Sequence, residues 1–77
     1  MEIKILGTGC AKCRAMFQLT EQAVNELRLE ASVVKEEDIL KIISYKVLGL
    51  PALVVDGEVV SAGHDLTKEE IKVLIVK

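Results

Sequence analysis

The stretch that decides the fold is Ile3-Lys4-Ile5-Leu6-Gly7-Thr8-Gly9-Cys10-Ala11-Lys12-Cys13. Its first four residues are mostly β-branched or apolar, which is typical of a short strand, and the two glycines after them indicate a loop. From residue 11 to residue 28 the apolar side chains recur at helical spacing. The stretch therefore predicts a strand, a glycine-bearing loop and a long helix that begins beside two cysteines.

This first helix is predicted to be amphipathic over about five turns. Its apolar face consists of Cys13, Phe17, Thr20, Val24 and Leu27, with Met16 and Ala23 beside them. Charged and amide side chains occupy the opposite face, which we expect to be solvated. Because Cys13 belongs to the apolar face and Cys10 precedes the helix, the two cysteines should differ in exposure.

The middle of the chain predicts a second strand and a second helix. Residues 31–35 are rich in β-branched side chains, and two strands joined by one helix form a parallel pair. Asp38 is the expected N-cap of the second helix, Gly49 its expected end, and Pro51 prevents it from resuming.

The last third predicts a hairpin and a capped helix. Residues 53–55 and 58–61 are predicted strands on either side of Asp56-Gly57, the strongest hairpin signal in the chain. Thr67 and Glu70 have the spacing of a capping box. The predicted fold is a single α/β domain over residues 1–77, in the order β-α-β-α-β-β-α. We expect a four-stranded mixed sheet flanked by helices, with the first two strands at its buried centre.

Composition excludes several classes of function. The chain has 77 residues, of which 51% are hydrophobic and 29% charged, so it suits one small globular domain. Aromatic residues make up 3% and the net charge is -2, which argues against nucleic acid as a partner. The longest apolar run, residues 47–55, is shorter than the roughly 18 residues of a membrane span, and no signal peptide is evident. We expect a cytoplasmic protein that binds neither nucleic acid nor membrane.

Cys10 and Cys13 are the residues from which we predict chemistry. Inside a cell, this spacing is more typical of catalysis or metal binding than of a structural disulfide. A thiolate at Cys10 would face the positive end of the helix dipole, and Lys12 adds a nearby cation, so the pKa of Cys10 should be lowered. Burial should keep the pKa of Cys13 high. We hypothesise that Cys10 is the nucleophile of thiol–disulfide exchange and that Cys13 resolves the mixed disulfide.

Other interpretations of the two cysteines stay open. A disulfide between them would close a loop of four residues and stabilise the fold by about 2 kcal/mol. They would also suit a carrier of a soft metal such as Cu(I) or Zn²⁺, although with His64 the chain is one ligand short of a closed zinc site. A third class is a binding domain that keeps the fold without turnover.

The sequence resembles the small thioredoxin-like and glutaredoxin-like redox-active disulfide proteins. The resemblance rests on the segment from Gly7 to Cys13 and on Leu50-Pro51-Ala-Leu-Val-Val-Asp-Gly, and it covers nearly the whole chain. It implies a thioredoxin-like fold and a dithiol–disulfide oxidoreductase that needs neither cofactor nor metal. Cys10 then matches the nucleophile and Cys13 the resolving cysteine. Pro51 matches the cis-proline beside the disulfide, and Leu50 the residue whose backbone pairs with a substrate chain.

The resemblance also implies partners, namely protein disulfides as substrates and a reductase or a low-molecular-weight thiol as electron donor. The sequence departs from thioredoxins in having Gly9 before the first cysteine and no tryptophan. No acidic residue is evident beneath the cysteines. Gly63 and Asp65 partly match the glutathione-binding segment of glutaredoxins, but Ala62 stands where that segment has a glycine.

Overall fold

The computed structural model describes residues 1–76, which form four strands and three helices. The elements are β1 (Glu2–Leu6), α1 (Ala11–Leu27), β2 (Ser32–Glu36), α2 (Ile39–Ser44), β3 (Ala52–Val55), β4 (Glu58–Ala62) and α3 (Lys68–Ile75). The predicted order and the predicted α/β class are confirmed. The predicted domain also included Lys77, which lies outside the described residues.

The sheet is mixed and has the order β2-β1-β3-β4. β1 is parallel to β2 and antiparallel to β3, and β3 is antiparallel to β4. The expectation that the first two strands form the centre is correct for β1 and wrong for β2. Because β3 pairs with the free side of β1, β2 keeps one neighbour and lies at the edge, where its side chains are exposed or half-buried.

Two cores lie on opposite faces of the sheet. Successive side chains of a strand point to opposite faces, so Ile3 and Ile5 of β1 pack on one side and Leu6 on the other. The first face is covered by α1 and α3, whose buried residues include Met16 and Ile71. The second face is covered by α2, through residues that include Ile42. Because both faces of the inner strands are covered, every residue of β3 is buried.

Local capping signals are confirmed. The Asp38 carboxylate accepts the backbone N–H of Leu40 at 3.0 Å, and Thr67 and Glu70 form a reciprocal capping box at the start of α3. Asp56 and Gly57 have φ values of 49° and 83°, the positive pair that a type I′ hairpin turn requires. Among residues 1–76, no helix combines the length and hydrophobicity needed to cross a membrane.

The predicted end of α2 at Gly49 is wrong. The helix ends at Ser44, and the left-handed residue after it is Lys46, with φ of 59°. Because α2 ends at Ser44, residues 45–51 are available to carry the chain back to the start of β3. Gly49 serves a different purpose, because a Cβ there would lie 2.9 Å from the Cα of Gly63. The missing side chain thus lets the segment before β3 approach the segment after β4.

Candidate active site

Cys10 is the N-cap residue of α1. Its backbone is extended (φ -71°, ψ 166°), and its carbonyl accepts the N–H of Arg14 at 3.0 Å. Its sulfur accepts the backbone N–H of Cys13 at 3.4 Å, as the side-chain oxygen of an ordinary N-cap residue does. The loop after β1 thus places a sulfur against the free N–H groups at the start of α1.

The two sulfurs lie 2.8 Å apart and share a hydrogen bond. Both cysteines are free thiols. Cys10 is exposed, whereas Cys13 is only 6% exposed. The spacing of three residues brings both side chains to one side of the first helical turn. A partner molecule can therefore reach Cys10 directly, and Cys13 lies immediately behind it.

The two thiols differ in acidity because their surroundings differ. The hydrogen bond from the Cys13 thiol lowers the pKa of Cys10, with further support from the backbone N–H of Cys13, and slight desolvation opposes it. Burial raises the pKa of Cys13, and the neighbouring Cys10 sulfur raises it further. Both directions agree with the asymmetry expected from the sequence.

The sequence predicts that the Lys12 side chain supplies a cation near Cys10, and in the structure this side chain pairs with Asp65. Its ammonium lies 3.4 Å from the carboxylate of Asp65, and both side chains are largely exposed. The backbone N–H of Lys12 is among the groups that lower the pKa of Cys10. The Lys12 side chain thus connects α1 to the loop before α3.

Gly7 lies directly against the side chain of Cys13. The sequence did not predict this contact. The residue is buried, and a Cβ there would lie 2.8 Å from the Cβ of Cys13 and would collide with its sulfur. From the sequence, the two glycines indicate a loop. The structure adds a different reason, which is that only a residue without a side chain leaves room for the inner sulfur.

Gly9, in the loop between β1 and α1, lies against the side chain of Glu37, the residue that follows β2. Gly9 has φ of 82°, a conformation that favours glycine, and a Cβ there would lie 2.9 Å from the Oε2 atom of Glu37. The carboxylate of Glu37 thus lies against the loop. Among residues 1–76 the buried polar side chains comprise Thr20 alone, so no carboxylate is buried beneath the cysteines.

Pro51 lies beside the start of α1, and Leu50 precedes it in the chain. The bond between them is cis, as the resemblance implies. Pro51 is buried, and its carbonyl accepts the N–H of Gly63 at 3.0 Å. Pro51 also lines a cleft of about 230 Å³ together with Lys12 and Leu66, so it shares a surface with the start of α1.

The exposed loop that contains His64 brings no third ligand to the cysteines. Within the described part of the chain, no group of three or more His, Cys, Asp or Glu side chains is arranged to hold a metal ion. His64 instead lines a cleft between β4 and α3.

The amino-acid sequence matches a known protein family. Residues 1–76 match the family model described as a thioredoxin domain. The thioredoxin of Methanothermobacter thermautotrophicus is 39% identical over 75 residues, which cover 97% of either chain. The thioredoxin of Methanocaldococcus jannaschii is 37% identical over 70 residues, covering 91% of this chain and 80% of that one.

A solved structure supports the fold separately. Thioredoxin 1 from Thermosipho africanus superimposes with a TM-score of 0.67 over 97% of this chain and 90% of its own, at 15% sequence identity. At that identity the similarity establishes the thioredoxin fold and nothing finer.

Proposed function

The chain belongs to the thioredoxin-domain family and is a thiol–disulfide oxidoreductase, and we propose that Cys10 is its attacking thiolate and Cys13 its resolving thiol. The observation that carries this assignment is the pair of sulfurs 2.8 Å apart, of which only that of Cys10 is exposed. Thiol–disulfide exchange needs such a pair, because the first thiol must reach the substrate and the second must reach the first.

In the first step the Cys10 thiolate attacks one sulfur of the substrate disulfide. A bond forms between the Cys10 sulfur and that sulfur, the substrate S–S bond breaks, and the leaving substrate thiolate takes a proton from water. The hydrogen bonds from the thiol and the backbone N–H of Cys13 favour the thiolate form of Cys10 at the start of this step.

In the second step Cys13 loses its proton to solvent and its sulfur attacks the sulfur of Cys10. The mixed disulfide breaks, the second substrate thiolate leaves and is protonated, and a Cys10–Cys13 disulfide remains. The substrate gains two electrons and the protein loses two. Burial of Cys13 favours its protonated form, so it does not compete with Cys10 for the substrate.

We assign substrate contact to Leu50 and Pro51. Pro51 lines the same cleft as Lys12, which supports an extended substrate chain that pairs with the backbone of the preceding residue, Leu50. The proposed substrates are protein disulfides, and the proposed electron donor is a reductase or a low-molecular-weight thiol. The proposed location is the cytoplasm, where such donors keep dithiols reduced.

Single-cysteine variants test the assignment. In an insulin-reduction assay with dithiothreitol, the wild-type protein should accelerate reduction and Cys10→Ser should not. With dithiothreitol left out, Cys13→Ser should accumulate a mixed disulfide with the substrate, because its Cys10 can attack but the protein has no second thiol to resolve the product. Reduction by Cys10→Ser at the wild-type rate would overturn the roles. Stoichiometric copper in the purified protein without turnover would favour a metal carrier instead.

A further inference from the structure

We propose that the cleft between β4 and α3 is a specificity subsite that binds a lysine or arginine side chain of the substrate, near its reacting cysteine. The inference rests on the proposed function, because it extends the surface at which a substrate disulfide meets Cys10. The subsite would make the protein prefer substrates with a basic residue near the reacting cysteine. The two cysteines and Pro51 do not by themselves impose this preference.

The cleft has the size and lining of a side-chain site. Its volume is about 550 Å³, more than twice the 230 Å³ of the cleft that contains Lys12 and Pro51. Its apolar surface is formed by Val60, Leu66, Val73 and Leu74. Val73 is 76% exposed, so covering it with an apolar group would remove that surface from water.

The cleft is continuous with the active site. Asp65 and Leu66 line both this cleft and the smaller one that contains Lys12 and Pro51. The hydrogen bond from Gly63 to the Pro51 carbonyl holds the shared loop beside the active site. A substrate chain that meets Cys10 and passes Pro51 is therefore led over Leu66 toward the cleft.

Strand register places the cleft at the same end of the sheet as Cys10. Leu6, the last residue before the active-site loop, pairs with Ala52, and Ala52 pairs with Ala62 at the end of β4. The loop that follows β4 therefore begins at the end of the sheet where β1 leads to Cys10. The cleft extends from this loop along β4 and α3.

Charge selects the occupant. Two acidic residues, Asp65 and Glu70, line the cleft, and among its described lining residues His64 is the only base. Asp65 also forms an ion pair with the exposed Lys12. One oxygen of Glu70, Oε1, accepts a hydrogen bond from the backbone N–H of the N-cap residue Thr67. A lysine or arginine can lay its hydrocarbon stem on Val73 and Leu74 and point its cation to the carboxylates. An acidic side chain would be repelled.

Peptide disulfides test the subsite. Each peptide carries one cysteine in a mixed disulfide with a small thiol and has Arg, Leu or Glu in turn at several positions on either side. For the reduced wild-type protein at low ionic strength, we expect the Arg peptide to exceed the Glu peptide in kcat/KM by about 10-fold at the best position, with Leu between them. Added salt should shrink the ratio.

Variants locate the preference in the cleft. Val73→Lys adds a cation to the cleft and should reduce the Arg-to-Glu ratio to about one or reverse it, and Asp65→Asn should reduce it partly. Val34→Lys makes the same charge change at an exposed residue of β2, the opposite edge of the sheet, and should keep the ratio. A ratio that survives in Val73→Lys would overturn the proposal.

The control separates this inference from the proposed function. Bis(2-hydroxyethyl) disulfide is small and neutral and does not reach the cleft. If the wild-type protein reduces it but treats Arg and Glu peptides alike, the subsite is refuted and the oxidoreductase assignment stands. If the wild-type protein reduces neither that compound nor any peptide, the proposed function itself fails.

Discussion

Gly7 lies directly against Cys13, so that a Cβ at residue 7 would be 2.8 Å from the Cβ of Cys13 and would collide with its sulfur. The inner sulfur can therefore stand 2.8 Å from the Cys10 sulfur only because residue 7 lacks a side chain. That short contact is the main reason why the pKa of Cys10 is lowered. A glycine in the loop thus influences the acidity of an exposed thiol that it does not touch.

Gly7→Ala should disturb both stability and acidity. The added methyl group overpacks a buried position, for which we expect a loss of about 1–3 kcal/mol in the free energy of unfolding. Displacing the Cys13 sulfur should weaken its hydrogen bond to Cys10 and raise the pKa of Cys10 toward its ordinary value. Urea denaturation and a titration of the thiolate absorbance measure the two effects. Thr8→Ala, at the adjacent exposed residue, should change neither, and a Gly7→Ala protein identical to it would refute the packing argument.

Two substitutions of Cys13 separate its hydrogen bond from its other effects. Cys13→Ser keeps a hydroxyl that can donate to the Cys10 sulfur, whereas Cys13→Ala removes the side-chain donor and leaves the backbone N–H. We expect the pKa of Cys10 to be higher in Cys13→Ala than in Cys13→Ser. The pH dependence of alkylation by iodoacetamide reports it, because each variant has a single cysteine. Equal values in the two variants would show that the side-chain hydrogen bond is unimportant.

The ion pairs of Glu26 should make stability depend on pH at the acid end. Hydrogen bonds from Lys68 and Lys72, at 2.5 and 2.7 Å, lower the pKa of Glu26 to about 2 from 4.5. Since the folded-state pKa lies below the unfolded one, the stabilisation is present above pH 4.5 and is lost as the pH falls toward 2. Glu26 is 44% exposed, so salt should weaken the effect.

Glu26→Gln should therefore lower the urea midpoint at neutral pH, and the difference from wild type should shrink as the pH falls from 4.5 toward 2. Glu21→Gln removes the same charge from the exposed side of α1 and serves as the control. A Glu26→Gln protein that loses stability equally at neutral and acid pH would contradict the electrostatic explanation.

Much of the fold could be predicted from the sequence because its signals are local. The caps at Asp38 and Thr67 and the turn at Asp56 depend on neighbours within a few residues, and each is present. The same holds for the placement of Cys10 at the start of α1, which follows from the change of periodicity after β1. These features together give the element order that the resemblance also implied.

The features that the sequence did not predict depend on contacts between distant segments. The position of β2 at the edge follows from the pairing of β3 with β1, which no pattern within β2 encodes. The need for glycine at residue 49 follows from its approach to Gly63, and the collision of a side chain at residue 7 with Cys13 depends on how α1 packs over the loop. The pairing of Lys12 with Asp65 likewise joins two elements far apart in sequence.

The central claim is that the N-cap position and the Cys13 thiol hold Cys10 as a reachable thiolate. The most direct test is a titration of the thiolate absorbance of the reduced wild-type protein, with Cys10→Ser identifying the Cys10 transition by its loss. We expect Cys10 to ionise with a pKa below 9.0, the value of an unperturbed thiol, and before Cys13 does. A Cys10 pKa at or above 9.0 would contradict it.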